Sequence, residues 1–150
     1  MIITFIGHSN LSGVVGLEER LRREILSRVP KTGKVLFYCG GYGEFDTLCA
    51  RVCRSLKGNF PESEILFVTP YLTESYQKKL SYILEEKLYD SVLYPPLEGV
   101  PYKYAISKRN EWMVREADLI FSFVTVPTGG AAKTLAYARR RKKEIVDLAE

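Results

Sequence analysis

Three segments, Val35–Tyr38, Ile65–Thr69 and Asp118–Val124, are near-continuous apolar runs rather than alternating ones. A strand with one wet face alternates apolar and polar residues. A strand covered on both faces has no reason to, and parallel strands between two layers of helices read this way. Segments of helical spacing separate the runs. Val14–Val29 places Val14, Leu17, Leu21, Ile25 and Leu26 on one stripe, and Phe45–Leu56 does the same with Leu48, Cys49, Val52, Cys53 and Leu56. Further helices are expected from Thr73 to Leu88, over Tyr104–Glu116 and over Gly130–Arg141. Shorter strands are expected at Ile2–Ile6, Ser91–Tyr94 and Glu144–Leu148. Pro30 with Gly33, Gly58 to Pro61, Pro70 and Pro95-Pro96 punctuate the series. Strands joined by helices of this length make right-handed βαβ units. The expected fold is α/β: a single-domain, three-layer Rossmann-like sandwich over residues 1–150, with a mostly parallel central sheet.

Composition narrows the function classes. A chain of 150 residues with 46% apolar and 27% charged residues fits one ordinary globular domain. No apolar stretch nears the roughly 20 residues that span a bilayer, so no membrane role is expected. Met1–Gly7 lacks the basic start of a signal peptide and reads as a buried strand. The net charge is +4, with Lys133, Arg139, Arg140, Arg141, Lys142 and Lys143 gathered late in the chain. That cluster reads either as a polyanion-binding patch or as cations complementing a helix C-terminus. Three cysteines without paired ligand spacing read as core residues rather than a zinc site, and an odd count favours a reducing cytoplasm.

Two glycine clusters follow apolar runs and precede helices: Cys39-Gly40-Gly41-Tyr42-Gly43 and Thr128-Gly129-Gly130-Ala131-Ala132. Strand, glycines and helix N-terminus together make an anion site. The first turn offers unpaired N–H groups and the positive end of the dipole, and glycine admits a phosphate to the backbone. Neither cluster is the G-x-G-x-x-G fingerprint or a P-loop. Gly7-His8-Ser9 belongs to the same carboxyl edge of the sheet, where such folds bind ligands. Asp46, just inside a helix, is placed to bond a ribose hydroxyl or simply to complement the dipole. Glu44 is the carboxylate nearest the first glycines and a candidate base. Lys133 and Thr134 follow the second cluster. Arg109 is a candidate phosphate clamp beside Asn110, while Trp112 and Met113 read as core. His8 is the lone histidine, and without a Gly-x-Ser-x-Gly a Ser-His-Asp hydrolase has no support. Tyr71, Tyr76, Tyr94, Tyr102 and Tyr104 read as loop anchors or as a stacking surface for a base.

Taken in order, Ile6–Asn10, Gly40–Asp46, Ser107–Val114, Ala117–Ile120, Gly129–Ala131, Thr134 and Tyr137–Arg140 resemble the SLOG superfamily of Rossmann-like domains. Its branches include the DprA/Smf, LOG and YpsA-like proteins. The YpsA-like branch is the nearest, through the Gly7-His8 pair and the helix beginning Lys108-Arg109-Asn110. The resemblance implies binding of a nucleotide or nucleotide-derived ligand, ADP-ribose-like molecules included, with Arg109 as clamp and pairing into a homodimer. It also implies two alternatives, LOG-type N-glycosidic hydrolysis and DprA-like binding of single-stranded DNA through Arg139–Lys143. The LOG pattern is broken here. Ala132 and Lys133 stand in place of its Gly-Thr, and Leu135 and Ala136 where its glutamates fall. The hydrolysis needs a well-placed carboxylate, so Glu44 and Arg109 are the remaining catalytic candidates. The expected function is that of a sensor or carrier of a nucleotide-derived small molecule at the carboxyl edge, with no cofactor.

Overall fold

The computed structural model describes residues 1–41 and 43–150; Tyr42, within the first glycine cluster, lies outside them. Among the described residues six strands, β1 (Ile2–Gly7), β2 (Val35–Cys39), β3 (Ser63–Val68), β4 (Ser91–Leu93), β5 (Leu119–Phe123) and β6 (Ile145–Asp147), form one sheet in the order β4-β3-β2-β1-β5-β6. Every pairing between described strands is parallel. Five helices connect them: α1 (Leu17–Arg28), α2 (Glu44–Ser55), α3 (Glu74–Glu85), α4 (Ala105–Glu116) and α5 (Gly130–Arg140).

The strands sort their side chains by parity, as a pleat requires. Ile3 and Phe5 of β1, Phe37 of β2, Phe67 of β3 and Phe121 of β5 face α1, α2 and α3 in one large core. Ile6 and Ile120 face the other way, packing with Val114 of α4 and Leu135 and Ala138 of α5. Tyr38, Leu66, Val68 and Met113 continue that second layer, where Tyr38 stacks on Trp112 at 5.6 Å. These are the three layers expected from apolar runs with no wet face. Cys39, Cys49 and Cys53 are all buried within the larger core.

Some boundaries differ from expectation for local reasons. Helix α1 starts at Leu17 and not Val14, because Gly16 sits at φ +79° and interrupts the helical path. Val15 is then left 93% exposed. Helix α3 stops at Glu85, short of Leu88, and Lys87 turns into the left-handed region at φ 58°. Strand β3 begins two residues early, at Ser63, which pairs with Val35. A 3₁₀ turn at Tyr102–Tyr104 precedes α4. Near the amino end of β3, Asp90 accepts the Ile65 N–H at 2.7 Å and pairs with Arg54 and Lys57.

Candidate functional site

From β1 the chain steps outward through β2, β3 and β4, then returns to the other side of β1 as β5 and β6. The loops leaving β1 and β5 therefore part in opposite directions, and a crevice opens at the carboxyl ends of those strands. A cavity of about 520 Å³ occupies that place. Its walls are the β1 exit from Gly7 to Asn10, the β5 exit at Thr125 and Val126, the first turn of α5, and Arg109, Asn110 and Met113 of α4. Asp46 of α2 joins from the side.

His8 laces the two strand exits together. Its Nε2 accepts the Thr125 N–H at 2.8 Å, and its ring meets Phe123 edge-on. A nitrogen that accepts a backbone N–H carries no hydrogen, so the neutral ring bears its proton on Nδ1.

The two glycine turns do different things. Gly43 precedes α2 at φ +94°, and a Cβ there would lie 2.5 Å from the Ser9 Cα. The close approach lets the β1 loop dock on the helix start. The Glu44 N–H donates to the Ser9 carbonyl at 2.9 Å and the Phe45 N–H to that of His8 at 3.4 Å. Glu44 in turn accepts the Leu11 N–H at 2.8 Å. Two first-turn donors of α2 are thus already occupied by the protein's own backbone. Helix α5 is different. Gly129 caps it at φ +95° with no side-chain cap, and a Cβ on either Gly129 or Gly130 would meet nothing within 4 Å. Both glycines are exposed and line the cavity. Gly129 has a conformational reason to be glycine. Gly130 has no packing reason, and the open space above it lies against the cavity.

Arg109 is only 1% exposed. One Nη1 donates to the carbonyls of Gly40 at 2.9 Å and Val68 at 2.7 Å, so the guanidinium braces the exits of β2 and β3 against α4. Its Nε–H donates to Asn110 Oδ1 at 2.9 Å. The Asp46 carboxylate and the Arg109 guanidinium both approach Gly40, at 3.1 and 3.2 Å from where its Cβ would be. Asp46 and Arg109 are the charged groups on the cavity wall among the described residues.

Of the residues singled out from sequence, Gly7, His8, Ser9, Asp46, Arg109, Asn110, Gly129, Gly130 and Thr134 share this cavity. Gly40, Gly41, Gly43, Glu44 and Lys133 stay off its wall. A Cβ on Gly41 would lie 1.7 Å from the Phe67 ring, so that glycine serves packing. Gly43 and Glu44 instead border a second depression between α1 and α2, together with Leu11, Val14 and Arg51. Thr125, Val126 and Ile106 line the crevice without having been marked. The signal for Thr125 was its position, directly after a buried strand, as His8 is after β1. Except for Lys133, the late basic cluster lies at the far end of α5, at the amino edge of the sheet. There Arg140 and Arg141 flank Tyr137, and Lys143 donates to the carbonyls of Arg115 and Ala117. Among the described residues no group of acidic, histidine or cysteine side chains is placed to hold a metal, and no helix is long and apolar enough to cross a membrane.

No family model matches the chain, and no curated protein matches it in sequence. Solved structures do match its fold. DNA processing protein A from Helicobacter pylori, described for its single-stranded DNA binding, aligns with a TM-score of 0.63 at 13% identity over 98% of this chain. This chain spans 64% of that protein's length. The X-ray structure of TM1055 aligns at 0.56 with 14% identity, over 96% of this chain and 71% of its own. The Moco carrier protein of Chlamydomonas rheinhardtii aligns at 0.52 with 12% identity, over 99% and 75%. At such identities the likeness is one of fold: a Rossmann-like sheet layered between helices.

Proposed function

We propose that the crevice between the β1 and β5 exits binds a nucleotide or nucleotide-derived, phosphate-bearing small molecule, and that the protein acts as its sensor or carrier. One observation carries the reading: the α5 N-terminus opens, uncapped by any side chain, onto a 520 Å³ cavity at the switch point of a parallel sheet. That volume falls in the roughly 300–1,000 Å³ range of small-molecule sites. The phosphate sits at Gly129 and Gly130, and Asp46 offers an acceptor to a ribose hydroxyl. The SLOG resemblance supports the same ligand class, ADP-ribose-like molecules among them, and with it a cytoplasmic homodimer nearest the YpsA-like branch. A neighbour known as a carrier protein is in keeping with this role.

Glycosidic hydrolysis is the weaker reading, because Glu44 is turned to the Leu11 N–H and lies off the crevice wall. Binding of single-stranded DNA, known for one neighbour, would here draw on the basic cluster around Tyr137 at the opposite edge. Native mass spectrometry of protein purified without added nucleotide, followed by titration with AMP and ADP-ribose, tests the proposal. Binding lost in Gly130→Asp but kept in Arg140→Glu is the expected result. No binding of either compound, with steeply salt-dependent binding of oligonucleotide, overturns it.

A further inference from the structure

The Arg109–Asn110 pair carries a statement about what the ligand must present, and it rests on the nucleotide reading above. Arginine has donors only. The Asn110 atom facing the Arg109 Nε–H at 2.9 Å is therefore the amide oxygen and not the nitrogen. An ordinary asparagine can rotate its amide by half a turn at little cost. This one cannot, because the flipped amide would set N–H against N–H beside a guanidinium that is itself 1% exposed and held by the Gly40 and Val68 carbonyls. Asn110 is half-buried and lines the crevice with Arg109.

We infer that Asn110 is a specificity-determining donor: Arg109 pins its oxygen, so its Nδ2 hydrogens are the face offered to the crevice, and the ligand must answer with an acceptor oxygen. The α5 first turn, on the same cavity, offers further donors. A ligand held between them carries acceptors on two sides, as a phosphorylated sugar does, while Asp46 takes up a hydroxyl. A ligand presenting an amine at the Asn110 position is rejected, because two donors would then face each other in a partly buried site.

Asn110→Asp separates this role from a merely structural one. The substituted carboxylate still accepts from Arg109 Nε, so the fold is kept and thermal stability is unchanged or slightly raised. The atom facing the crevice changes from donor to acceptor. AMP and ADP-ribose are the probes, measured by calorimetry. The expected result is at least about tenfold weaker binding to Asn110→Asp, together with a downfield shift of the Asn110 side-chain amide protons when AMP is added to the parent protein. Equal affinity of parent and Asn110→Asp, or amide signals that do not move, overturns this inference alone. A parent protein that binds neither compound overturns the nucleotide reading and this inference with it.

Discussion

Arg109 is the largest fully buried side chain among the described residues, and its removal is the most informative perturbation. Replacing it with methionine keeps most of the aliphatic stem and deletes the guanidinium. The Gly40 and Val68 carbonyls then lose a charged donor in a buried setting. Hydrogen bonds to charged groups contribute about 1.5–3 kcal/mol each, and a stranded buried acceptor costs about 1–3 kcal/mol. Against this stands relief from burying a cation, a desolvation cost of several kcal/mol. The acceptors left behind are polar backbone that cannot be swapped for apolar groups, so the loss wins. We expect Arg109→Met to destabilise by about 2–4 kcal/mol, which for a domain of this size lowers the melting temperature by roughly 5–15 °C. Arg109→Lys, which has no fork to reach both carbonyls and Asn110, falls between. Calorimetric melting of the three proteins at one concentration is the assay. If Arg109→Met melts within a degree or two of the parent, the bracing role is refuted, and the burial of this cation must serve the ligand rather than the fold.

Three further outcomes follow from the geometry. A Cβ on Gly7 would lie 2.1 Å from the ring of Phe45, a core residue stacked on Phe123, so Gly7→Ala costs about 1–3 kcal/mol and Phe45→Ala about 3–5 kcal/mol. Because each relieves the other, the double variant loses at least about 1 kcal/mol less than their sum, and urea melts showing strict additivity contradict the packing described. Burial raises the Asp90 carboxyl, but the Ile65 N–H, Arg54 and Lys57 outweigh it and hold it below its ordinary value. Its contribution is therefore present above about pH 3.9, the value of an unfolded carboxyl, and is lost as pH falls through the lower folded value. Asn at this position should cost about 1 kcal/mol at pH 7 and progressively less as the pH falls below the unfolded value, and a gap that does not narrow on acidification is the contrary result. Burial pushes the thiols of Cys39, Cys49 and Cys53 well up, so a disulfide thiol reagent should modify them only as fast as the protein opens globally. Rapid labelling of any one in native buffer would show that the larger core is breached.

The layers were legible in the sequence because they rest on a one-dimensional signal. Runs such as Val35–Tyr38 say that both faces are covered, and the helical stripes between them say by what. Strand order was not legible residue by residue. It follows from connection length and handedness, which is also why the crevice could be assigned to the carboxyl edge but not to β1 and β5 in particular. The 3₁₀ turn at Tyr102–Tyr104 and the late start of α1 depend on single backbone angles, such as that of Gly16, which glycine permits without requiring. Arg109 shows the limit from the other side. Its type suggested a phosphate clamp, while its burial and its two carbonyl partners are long-range facts that no local pattern carries.

The deepest divergence concerns the two glycine turns, which look alike in sequence. An anion arriving at α2 would have to displace the Ser9 and His8 carbonyls from the Glu44 and Phe45 N–H groups. Breaking two backbone hydrogen bonds costs about 1–3 kcal/mol in total, while a charge at a helix N-terminus gains about 0.3–1 kcal/mol. The exchange is unfavourable before any loop strain is counted. At α5 no carbonyl from the β1 or β5 loop accepts from the first-turn N–H groups among the described residues, and the space above Gly129 and Gly130 is open, so the same gain comes without that displacement. On the proposed reading a phosphate would therefore partition to α5, and the first glycine cluster would act indirectly. It lets Ser9 close upon α2, and with the bond from Thr125 to His8 this fixes the mouth of the crevice that the second cluster borders.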